Sequence, residues 1–393
     1  MRELKTQVAI IGGGPSGLLL SQLLHLNGID SIVIERQTRD HVLTRIRAGV
    51  LESGTVRLLR KAEAAHNLDL HGDVHRGIDI SFNGNICHVP FEKLTNGQTV
   101  TVYGQTEVTR DLYEARDKLD GIVLHSVSDV ELHGIDSDKP SVSFYQDEKQ
   151  STIECDFIIG CDGYRGVSRK NIPESEKKEH EKVYPFGWLG VLSETPPVSK
   201  EVMYAYHEKG FALCSMRHSN LSRYYIQVPI GENIEDWSDD RFWKELKSRL
   251  PEKISNKLIT GPSIEKSIAP LRSFVCEPMS FGKLFLVGDA AHIVPPTGAK
   301  GLNLAVSDVH YIFTALNEYY ESGSTKGLSD YSKTALDRVW KTERFSLSLT
   351  NFLHHFPQEG GFNERIRQAE FDYLCTSEAF QTSFSEGYVG LPY

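Results

Sequence analysis

The sequence of 393 residues lacks several features that mark particular classes of protein. Its six cysteines form no C-x-x-C pair, so we expect no metal site and predict reduced thiols in the cytoplasm. No apolar run approaches the roughly 18 residues that a membrane span needs. The first apolar stretch follows a short polar lead, and we therefore expect no secretory signal. A formal net charge of −10 argues against nucleic acid or an anionic membrane as a main partner.

Three glycines near the N-terminus form the most informative motif. Residues 8–11 read as an apolar strand, and Gly12, Gly14 and Gly17 follow it with the spacing G-x-G-x-x-G. The first glycine permits a tight turn, the second lets a pyrophosphate approach the backbone, and the third lets the next helix pack closely. The N-terminus of that helix offers N–H groups and partial positive charge to phosphates.

An acidic residue stands where such a motif predicts one. Residues 31–34 are a second β-rich run, and Glu35 ends it, 18 residues after Gly17. A carboxylate about 20 residues after the last glycine typically holds a ribose hydroxyl. The order of strand, turn, leucine-rich helix, strand and acid therefore predicts an adenine dinucleotide. The alternative is a tight turn that binds no ligand.

The remaining pattern predicts a mixed α/β chain of two or three structural units. We expect β-rich segments over residues 78–102 and 183–272, and helices from residue 302 to near the C-terminus. The apolar tail, residues 387–393, should dock on the protein. Further helices are predicted over residues 51–65, 107–119 and 239–249, and strands over residues 122–127, 130–133, 141–145, 202–207, 210–216 and 223–229.

Two later loops share the placement of the glycine motif. Residues 156–160 and 283–287 are apolar strands that run into Asp162-Gly163 and Gly288-Asp289. All three loops thus lie at the strand ends where open α/β sheets bind ligands. We expect Asp289 to accept a ribitol or ribose hydroxyl, and a helix after it to direct N–H groups at an anionic ring.

This order of motifs resembles the FAD-dependent aromatic hydroxylases, the single-component flavoprotein monooxygenases. Stretches that begin at Arg45, Val102, Tyr184, Ala269 and Pro295 extend the similarity along the whole chain. The resemblance implies that 4-hydroxybenzoate, NADPH and O2 yield 3,4-dihydroxybenzoate, with FAD as the cofactor and a flavin C4a-hydroperoxide as the oxygen donor. It also implies a homodimer.

The resemblance divides the chain into three parts. A discontinuous, Rossmann-like FAD-binding domain is expected over residues 1–72, 101–182 and 273–325. An inserted, mostly antiparallel substrate domain covers residues 73–100 and 183–272. A C-terminal helical region, residues 326–393, is expected to form the dimer interface.

The resemblance also assigns residues to the flavin. Arg223 is tied to movement of the flavin ring, and Lys300 adds positive charge unless it is a solvated loop residue. The full set of expected flavin contacts comprises Gly12, Gly14, Ser16, Gly17, Glu35, Arg45, Arg47, Gln105, Asp162, Arg223, Asp289, Gly298, Leu302 and Asn303.

At the carboxylate end of the substrate, the resemblance implies a clamp of Ser215, Arg217 and Tyr225. Ser215 and Arg217 alternate along a predicted strand, so they share a face. Of the three, only Arg217 can make a two-pronged charge-assisted contact with a carboxylate. An arginine on a strand, taken alone, is more often solvated or paired at the surface.

At the phenol end, the resemblance assigns catalytic roles to Tyr204, Tyr388, His75 and Pro296, with Tyr204 and Pro296 also touching substrate. A chain of hydroxyls that ends in an imidazole at the solvent side can carry a proton out of a dry pocket. Taken singly, each tyrosine would be a core aromatic residue and His75 a surface histidine.

Nicotinamide binding has no second glycine motif in the sequence. The resemblance points to Arg36, Arg165, Arg169 and Arg272 for NADPH. Arg165 and His41 depart from the family pattern and leave the choice between NADPH and NADH open. Three other functions also stay open: hydroxylation of another phenolic acid, nicotinamide-dependent dehydrogenation and non-catalytic nucleotide sensing.

Overall fold

A computed structural model of the chain describes residues 2–44 and 49–393. Arg45 and Arg47, both expected to contact the flavin, lie outside the described residues. The helices are α1 (Pro15–Leu26), α2 (Arg39–Leu43), α3 (Ser53–Lys61), α4 (His66–His71), α5 (Phe91–Leu94), α6 (Gln105–Lys118), α7 (Asp239–Arg249), α8 (Glu252–Ser255), α9 (Gly301–Ser322), α10 (Lys326–Leu353), α11 (Gly361–Thr376) and α12 (Glu378–Val389).

Four sheets complete the fold. Their strands are β1 (Arg2–Lys5), β2 (Val8–Ile11), β3 (Ser31–Ile34), β4 (Val50–Glu52), β5 (Asp73–His75), β6 (Ile78–Phe82), β7 (Asn85–Val89), β8 (Val100–Val102), β9 (Val123–Leu124), β10 (Ser128–His133), β11 (Ser141–Gln146), β12 (Lys149–Glu154), β13 (Phe157–Gly160), β14 (Lys178–Ser193), β15 (Met203–Tyr206), β16 (Ala212–His218), β17 (Leu221–Pro229), β18 (Ser263–Glu277), β19 (Ser280–Phe281), β20 (Leu284–Leu286) and β21 (His292–Ile293).

A six-stranded sheet has the order β19-β20-β13-β2-β3-β9 and is parallel from β20 to β9. Its central strands are apolar and buried on both faces, as parallel strands covered by helices must be. Helices α1, α6 and α9 pack beside it. The predicted α/β architecture is confirmed.

An eight-stranded, mostly antiparallel sheet has the order β21-β18-β14-β17-β16-β15-β6-β7. Its two faces carry separate apolar clusters: one packs against α7, and the other is rich in aromatic side chains and packs against α10, α11 and α12. A four-stranded sheet (β1-β12-β11-β10) and a three-stranded sheet (β4-β8-β5) flank these two.

Some sequence predictions need correction. The helix predicted over residues 51–65 begins only at Ser53, because Leu51 pairs with Thr101 in the three-stranded sheet. The strand predicted over residues 122–127 is reduced to β9. Strand β12, which pairs in parallel with β1, was not predicted. The helix predicted over residues 239–249 is confirmed as α7. The C-terminal tail docks as expected.

Candidate active site

The three glycine-containing loops meet at one edge of the six-stranded sheet. Strands β20, β13, β2 and β3 are adjacent and parallel, and the loops that carry Gly288, Asp162 and Gly12 follow the first three of them. Glu35 follows β3. This is the edge where open α/β sheets bind nucleotides.

Two of the glycines are required by close approach of backbone atoms. Gly12 has a φ of +111°, and a Cβ there would lie 2.3 Å from the Cys161 carbonyl oxygen. A Cβ on Gly17 would lie 2.0 Å from the Gly12 carbonyl oxygen. By contrast, a Cβ on Gly14 would meet no atom within 4 Å. The fingerprint therefore packs strand, loop and helix tightly while it leaves open space in front of Gly14.

Glu35 holds the loop in shape. Its carboxylate accepts the Gly13 N–H at 2.7 Å and the Gln37 N–H at 2.9 Å. Each carboxylate oxygen keeps a further lone pair, so a ribose hydroxyl can still donate to it.

Asp162 carries a buried acceptor with no partner. Its Oδ2 accepts both the N–H and the hydroxyl of Ser168 at 2.9 Å, whereas its Oδ1 has no hydrogen-bond partner among the described residues. Burial raises the pKa of this carboxyl. An orphaned acceptor at this edge, the space at Gly14 and the N-terminus of α1 together fit a dinucleotide that bears hydroxyl and phosphate groups.

The Gly288-Asp289 loop differs from its prediction. Instead of a helix, a short 3-10 turn (Gly288–Ala290) and strand β21 follow it, because His292 and Ile293 pair with β18. A Cβ on Gly288 would lie 3.4 Å from the Ser16 hydroxyl, so the loop contacts the start of α1. The helix that can direct N–H groups into the site is α9, which begins at Gly301.

Lys300, just before α9, is buried and paired. Its ammonium donates to Glu52 Oε1 at 2.7 Å and to the Tyr388 carbonyl at 2.6 Å. Arg338 contacts the other Glu52 oxygen at 3.1 Å and donates to the carbonyls of Leu391 and Pro392. The alternative of a solvated lysine is therefore wrong: Lys300 is 3% exposed, and burial lowers its pKa. Sequence reasoning missed Glu52 and Arg338.

The Asn303 side-chain amide makes all four of its hydrogen bonds within the protein. Its oxygen accepts from the Glu52 N–H and the Thr55 hydroxyl, and its amide donates to the carbonyls of Val50 and Ala299. We therefore expect the backbone N–H groups of the first turn of α9, rather than the Asn303 side chain, to face a flavin. Leu302 lies in the same turn. Gly298 is buried, while Pro296 is exposed at the start of a 3-10 turn.

The aromatic face of the eight-stranded sheet brings the substrate residues into register. Tyr204 lies opposite Leu213, which lies opposite Tyr225, which lies opposite Gly190. One row along, Ser215 lies opposite Arg223. Because directly opposed residues share a face, these side chains stand side by side. A Cβ on Gly190 would lie 2.7 Å from the Tyr225 ring, so this glycine makes room for the tyrosine.

Two arginines on this face are held differently. Arg223 donates from Nη2 to Glu265 and Ser267 at 3.1 Å, and its Nη1 lies 2.9 Å from the second Glu265 oxygen. Arg217 donates only from Nη1, to the Met216 carbonyl. The Nε and Nη2 atoms of Arg217 are buried and have no hydrogen-bond partner among the described residues. Burial lowers the pKa of Arg217.

The other two predicted clamp residues, Ser215 and Tyr225, lie in neighbouring rows of the same sheet face. Ser215 donates its hydroxyl to the Arg223 carbonyl at 3.0 Å. Tyr225 is close enough to interact with both Arg217 and Arg223, and its ring lies 5.1 Å from the Arg223 guanidinium carbon. The unsatisfied cation is Arg217 itself. Tyr225 lies beside it, and Ser215 lies two residues before it on β16.

Tyr204 and Tyr388 form a buried hydroxyl pair. Their oxygens are 3.1 Å apart, although 184 residues separate them in the chain. Burial raises the pKa of Tyr204 to about 12. Burial, Tyr204 and Glu201 together raise the pKa of Tyr388 well above its usual value. Both hydroxyls are therefore neutral near pH 7.

His75 is buried, at 1% exposure, which corrects both the expected solvent position and the alternative of a surface histidine. Its Nε2 lies 3.2 Å from Asp73 Oδ2, and its Nδ1 lies 3.1 Å from Glu201 Oε2. Asp73, half exposed, is the group that reaches solvent. Sequence reasoning missed both carboxylates, since only the fold brings Glu201 to strand β5.

The expected nicotinamide residues fall into two groups. Arg36 and Arg165 are exposed, as is His41 on α2. Arg169 donates to Glu179 and to the carbonyls of Ala290 and Tyr164. Arg272 lies 3.0 Å from Glu181.

Gln105, one of the expected flavin contacts, is partly buried at the first position of α6.

Among the described residues, no group of three or more side chains is arranged to hold a metal ion. In the same part of the chain, no helix combines the length and apolarity required to cross a bilayer.

Comparison with known proteins supplies the family. The family described as FAD binding domain matches residues 5–346. The chain is 55% identical over 393 residues to the p-hydroxybenzoate hydroxylase of Acinetobacter baylyi, covering 100% of this chain and 97% of that one. It is 24% identical to a 3-(3-hydroxy-phenyl)propionate/3-hydroxycinnamic acid hydroxylase of Burkholderia vietnamiensis, over 78% of this chain and 55% of that one.

A solved structure gives the same fold. The p-nitrophenol 4-monooxygenase of Pseudomonas putida superposes with a TM-score of 0.82 at 18% identity, covering all of both chains. The sequence match over nearly the full length and the meeting of the three loops at one sheet edge agree. The chain belongs to the FAD-binding aromatic hydroxylases, a family of flavoprotein monooxygenases.

Proposed function

We propose that this chain hydroxylates 4-hydroxybenzoate at C3, consuming NADPH and O2 and releasing 3,4-dihydroxybenzoate, NADP and water. The observation that carries the proposal is the Arg217 guanidinium, whose Nε and Nη2 are buried without a partner. The name of the 55% identical relative agrees with this substrate.

An unsatisfied buried cation is costly unless a ligand completes it. A carboxylate is the matching ligand, since its two oxygens accept from a guanidinium in a planar fork. Tyr225 lies beside Arg217, and Ser215 lies two residues before it on β16; the Ser215 hydroxyl would turn from the Arg223 carbonyl to the same carboxylate. Together they would orient the aromatic ring and fix one ortho carbon toward the flavin.

The phenol end of the substrate would meet Tyr204. Loss of the phenolic proton activates the ortho carbon, so the site must accept that proton. Because the Tyr204 hydroxyl is neutral and contacts the Tyr388 hydroxyl, it can accept a proton while it donates its own to Tyr388.

The proton would leave through carboxylates and the imidazole. The Glu201 charge lies near enough to Tyr388 to raise its pKa, Glu201 Oε2 lies 3.1 Å from His75 Nδ1, and His75 Nε2 lies 3.2 Å from the half-exposed Asp73. We propose this order, from Glu201 through His75 to Asp73, as the path from the buried hydroxyl pair to solvent.

The flavin would be held by the loops of Gly12, Asp162 and Gly288, by Glu35 at its ribose and by the first turn of α9 at its ring. When bound, FAD supplies the reduction and activation of O2. The buried Lys300 at the start of α9 adds positive charge beside that helix N-terminus. Arg36 and Arg165, both exposed, are our candidates for the NADPH phosphates, with Arg169 and Arg272 more strongly engaged in protein contacts.

We also propose a cytoplasmic homodimer formed through residues 326–393. Phe362, Ile366 and Tyr373 lie on one side of α11 and are 77%, 51% and 56% exposed. An exposed apolar stripe of this kind favours burial against a second copy. Strands β6 and β7, which lie in the large sheet, support the assignment of residues 73–100 to the substrate domain.

Product analysis tests the reaction. The purified holoenzyme should convert 4-hydroxybenzoate to 3,4-dihydroxybenzoate with matched oxidation of NADPH, and a parallel assay with NADH gives the nicotinamide preference. A protein that carries flavin but hydroxylates a different phenolic acid would overturn the substrate. A colourless protein that reduces a nicotinamide would overturn the flavin chemistry.

A further inference from the structure

Two cysteines from distant parts of the sequence are neighbours at the edge of the eight-stranded sheet. Cys87 lies on the edge strand β7, and Cys375 lies at the end of α11, which packs against β7. The two side chains are neighbours, since the Cys375 thiol contributes to the raised pKa of Cys87. Cys87 lies in the same cross-strand row of the aromatic face as Tyr204, since Cys87 pairs with Ile80 and Ile80 pairs with Tyr204.

The two thiols differ in access. Cys87 is buried at 7% exposure, whereas Cys375 is exposed. At 100° per residue, Cys375 lies on the opposite side of α11 from the stripe of Phe362, Ile366 and Tyr373. A dimer formed on that stripe would therefore leave Cys375 open to small oxidants.

The remaining four cysteines have no such neighbour or access. Cys155, Cys214 and Cys276 are buried, and Cys161 is partly buried. Burial raises the pKa of Cys155 to about 12 and that of Cys276 to about 11, so their thiolates are scarce near pH 7. All six cysteines lie within the described residues, and Cys375 is the exposed member of the set.

We propose that Cys87 and Cys375 are a site of reversible oxidation, at which hydrogen peroxide closes an intramolecular disulfide. Cys375 first attacks the peroxide, forming a sulfenic acid and releasing one water. The Cys87 sulfur then attacks Cys375: the S–S bond forms, the S–O bond breaks and a second water leaves with the Cys87 proton. Two thiols are oxidised by two electrons, and one peroxide is reduced to two waters.

The bond would fasten α11 to the edge of the substrate sheet. Because α12 follows α11 after Ser377 and carries Tyr388, the cross-link would fix the helix that holds one hydroxyl of the buried pair relative to the sheet that holds the other. Burial of Cys87 raises its pKa to about 12, so Cys87 is a poor target for dissolved oxidants and its role is to react with the sulfenic acid that forms beside it on Cys375.

The test uses the holoenzyme without substrate or NADPH, so its outcome is independent of the proposed function. After treatment with a molar excess of hydrogen peroxide and then catalase, the thiols are titrated in denaturant. We expect the six thiols to fall by two and to return with dithiothreitol, and peptide mapping should recover Cys87 joined to Cys375.

Cys276→Ser is the matched control and should still lose two thiols, whereas Cys375→Ser should lose none under the same exposure. The proposal is overturned if wild-type thiols are unchanged, if Cys375 is over-oxidised while Cys87 stays a thiol, or if Cys375 joins two copies in a non-reducing gel. The wild-type result decides by itself even if a variant does not fold.

Discussion

The nucleotide edge of the six-stranded sheet and the aromatic face of the eight-stranded sheet hold their polar groups in different ways. At the edge, backbone N–H groups satisfy Glu35, and glycines allow the loops to touch. On the aromatic face, Arg217 has no ion pair among the described residues and keeps two buried nitrogens without partners. Arg223, one row away, also has an Nε without a partner, but its guanidinium is paired with the Glu265 carboxylate.

This difference separates scaffold from ligand site. A group with a counter-charge, such as Arg223 beside Glu265, or a hydrogen-bonded group, such as Glu35, contributes to the fold with or without a ligand. An unsatisfied buried group such as Arg217 costs stability, and natural proteins keep such groups mainly where function requires them. The contrast identifies the region around Arg217, on strand β16 of the eight-stranded sheet, as the site that binds an anion.

The largest effect is expected from Gly12→Ala, which adds a side chain where two loops of the nucleotide edge touch. The new Cβ would lie 2.3 Å from the Cys161 carbonyl oxygen at a φ of +111°, and we expect the unfolding free energy to fall by about 3 kcal/mol or more, with loss of flavin. Gly14→Ala is the matched control, because nothing lies within 4 Å of its Cβ. It should change stability by about 0.5 kcal/mol or less while weakening flavin retention. Flavin per chain and thermal unfolding measure both, and equal behaviour of the two variants would contradict the close-approach argument.

Next in size is the contrast between the two arginines. Arg217→Gln removes an uncompensated buried charge, so we expect the substrate-free holoenzyme to gain about 1 kcal/mol while KM rises by about 100-fold. Arg223→Gln leaves Glu265 without its guanidinium partner and should lose about 2 kcal/mol. Urea unfolding and steady-state kinetics provide the measurements. Destabilisation by Arg217→Gln comparable to that of Arg223→Gln would show that the two sites do not differ.

Within the aromatic face, Tyr204→Phe tests the hydroxyl pair. Without the Tyr204 hydroxyl, the phenol loses its proton acceptor, and we expect product formed per NADPH oxidised to fall by about tenfold or more, with peroxide released instead. Tyr206→Phe is the control on the same strand, since its hydroxyl contacts Glu364 rather than Tyr388. Full coupling in Tyr204→Phe would remove this residue from the proton route.

The last prediction concerns the buried carboxyl of Glu343 on α10, whose effect appears only at high pH. Burial raises the pKa of Glu343 to about 7, above the 4.5 of an exposed glutamate. The unfolded chain therefore releases this proton at lower pH than the native protein, and native stability falls as pH rises from about 4.5 to about 7.

Glu343→Gln should abolish that loss and make the variant more stable than wild type by about 2 kcal/mol at pH 8, with little difference at pH 4. Urea unfolding across this range measures the change. The exposed Glu321→Gln, on α9, should leave the pH dependence unaltered. A stability difference for Glu343→Gln that does not vary with pH would refute the assignment.

Local sequence predicted the edge well and the aromatic face only in part. The glycine spacing, the apolar strands and the acid at Glu35 are contiguous patterns, so strand, turn and helix could be read in order. Helix α7 was predicted with the bounds that the structure has, because Ser238 caps it and its apolar residues recur at helical spacing.

Long-range pairing explains what the sequence could not show. Leu51 is a strand residue only because Thr101 pairs with it. Lys300 is tolerated in the interior because Glu52 pairs with it, and Arg338 pairs with the other Glu52 oxygen. The approach of Glu201 to His75 spans 126 residues of chain, from strand β5 to the start of β15. Family resemblance identified Arg217, but its unsatisfied nitrogens became visible only in the folded sheet.

The most direct measurement compares the affinities of 4-hydroxybenzoate and phenol, which lacks the carboxylate, for wild type and Arg217→Lys. If the orphaned guanidinium is the carboxylate site, the wild-type holoenzyme should bind 4-hydroxybenzoate about 100-fold more tightly than phenol, and the lysine variant should lose about tenfold of that preference. An unchanged preference in Arg217→Lys would contradict the account.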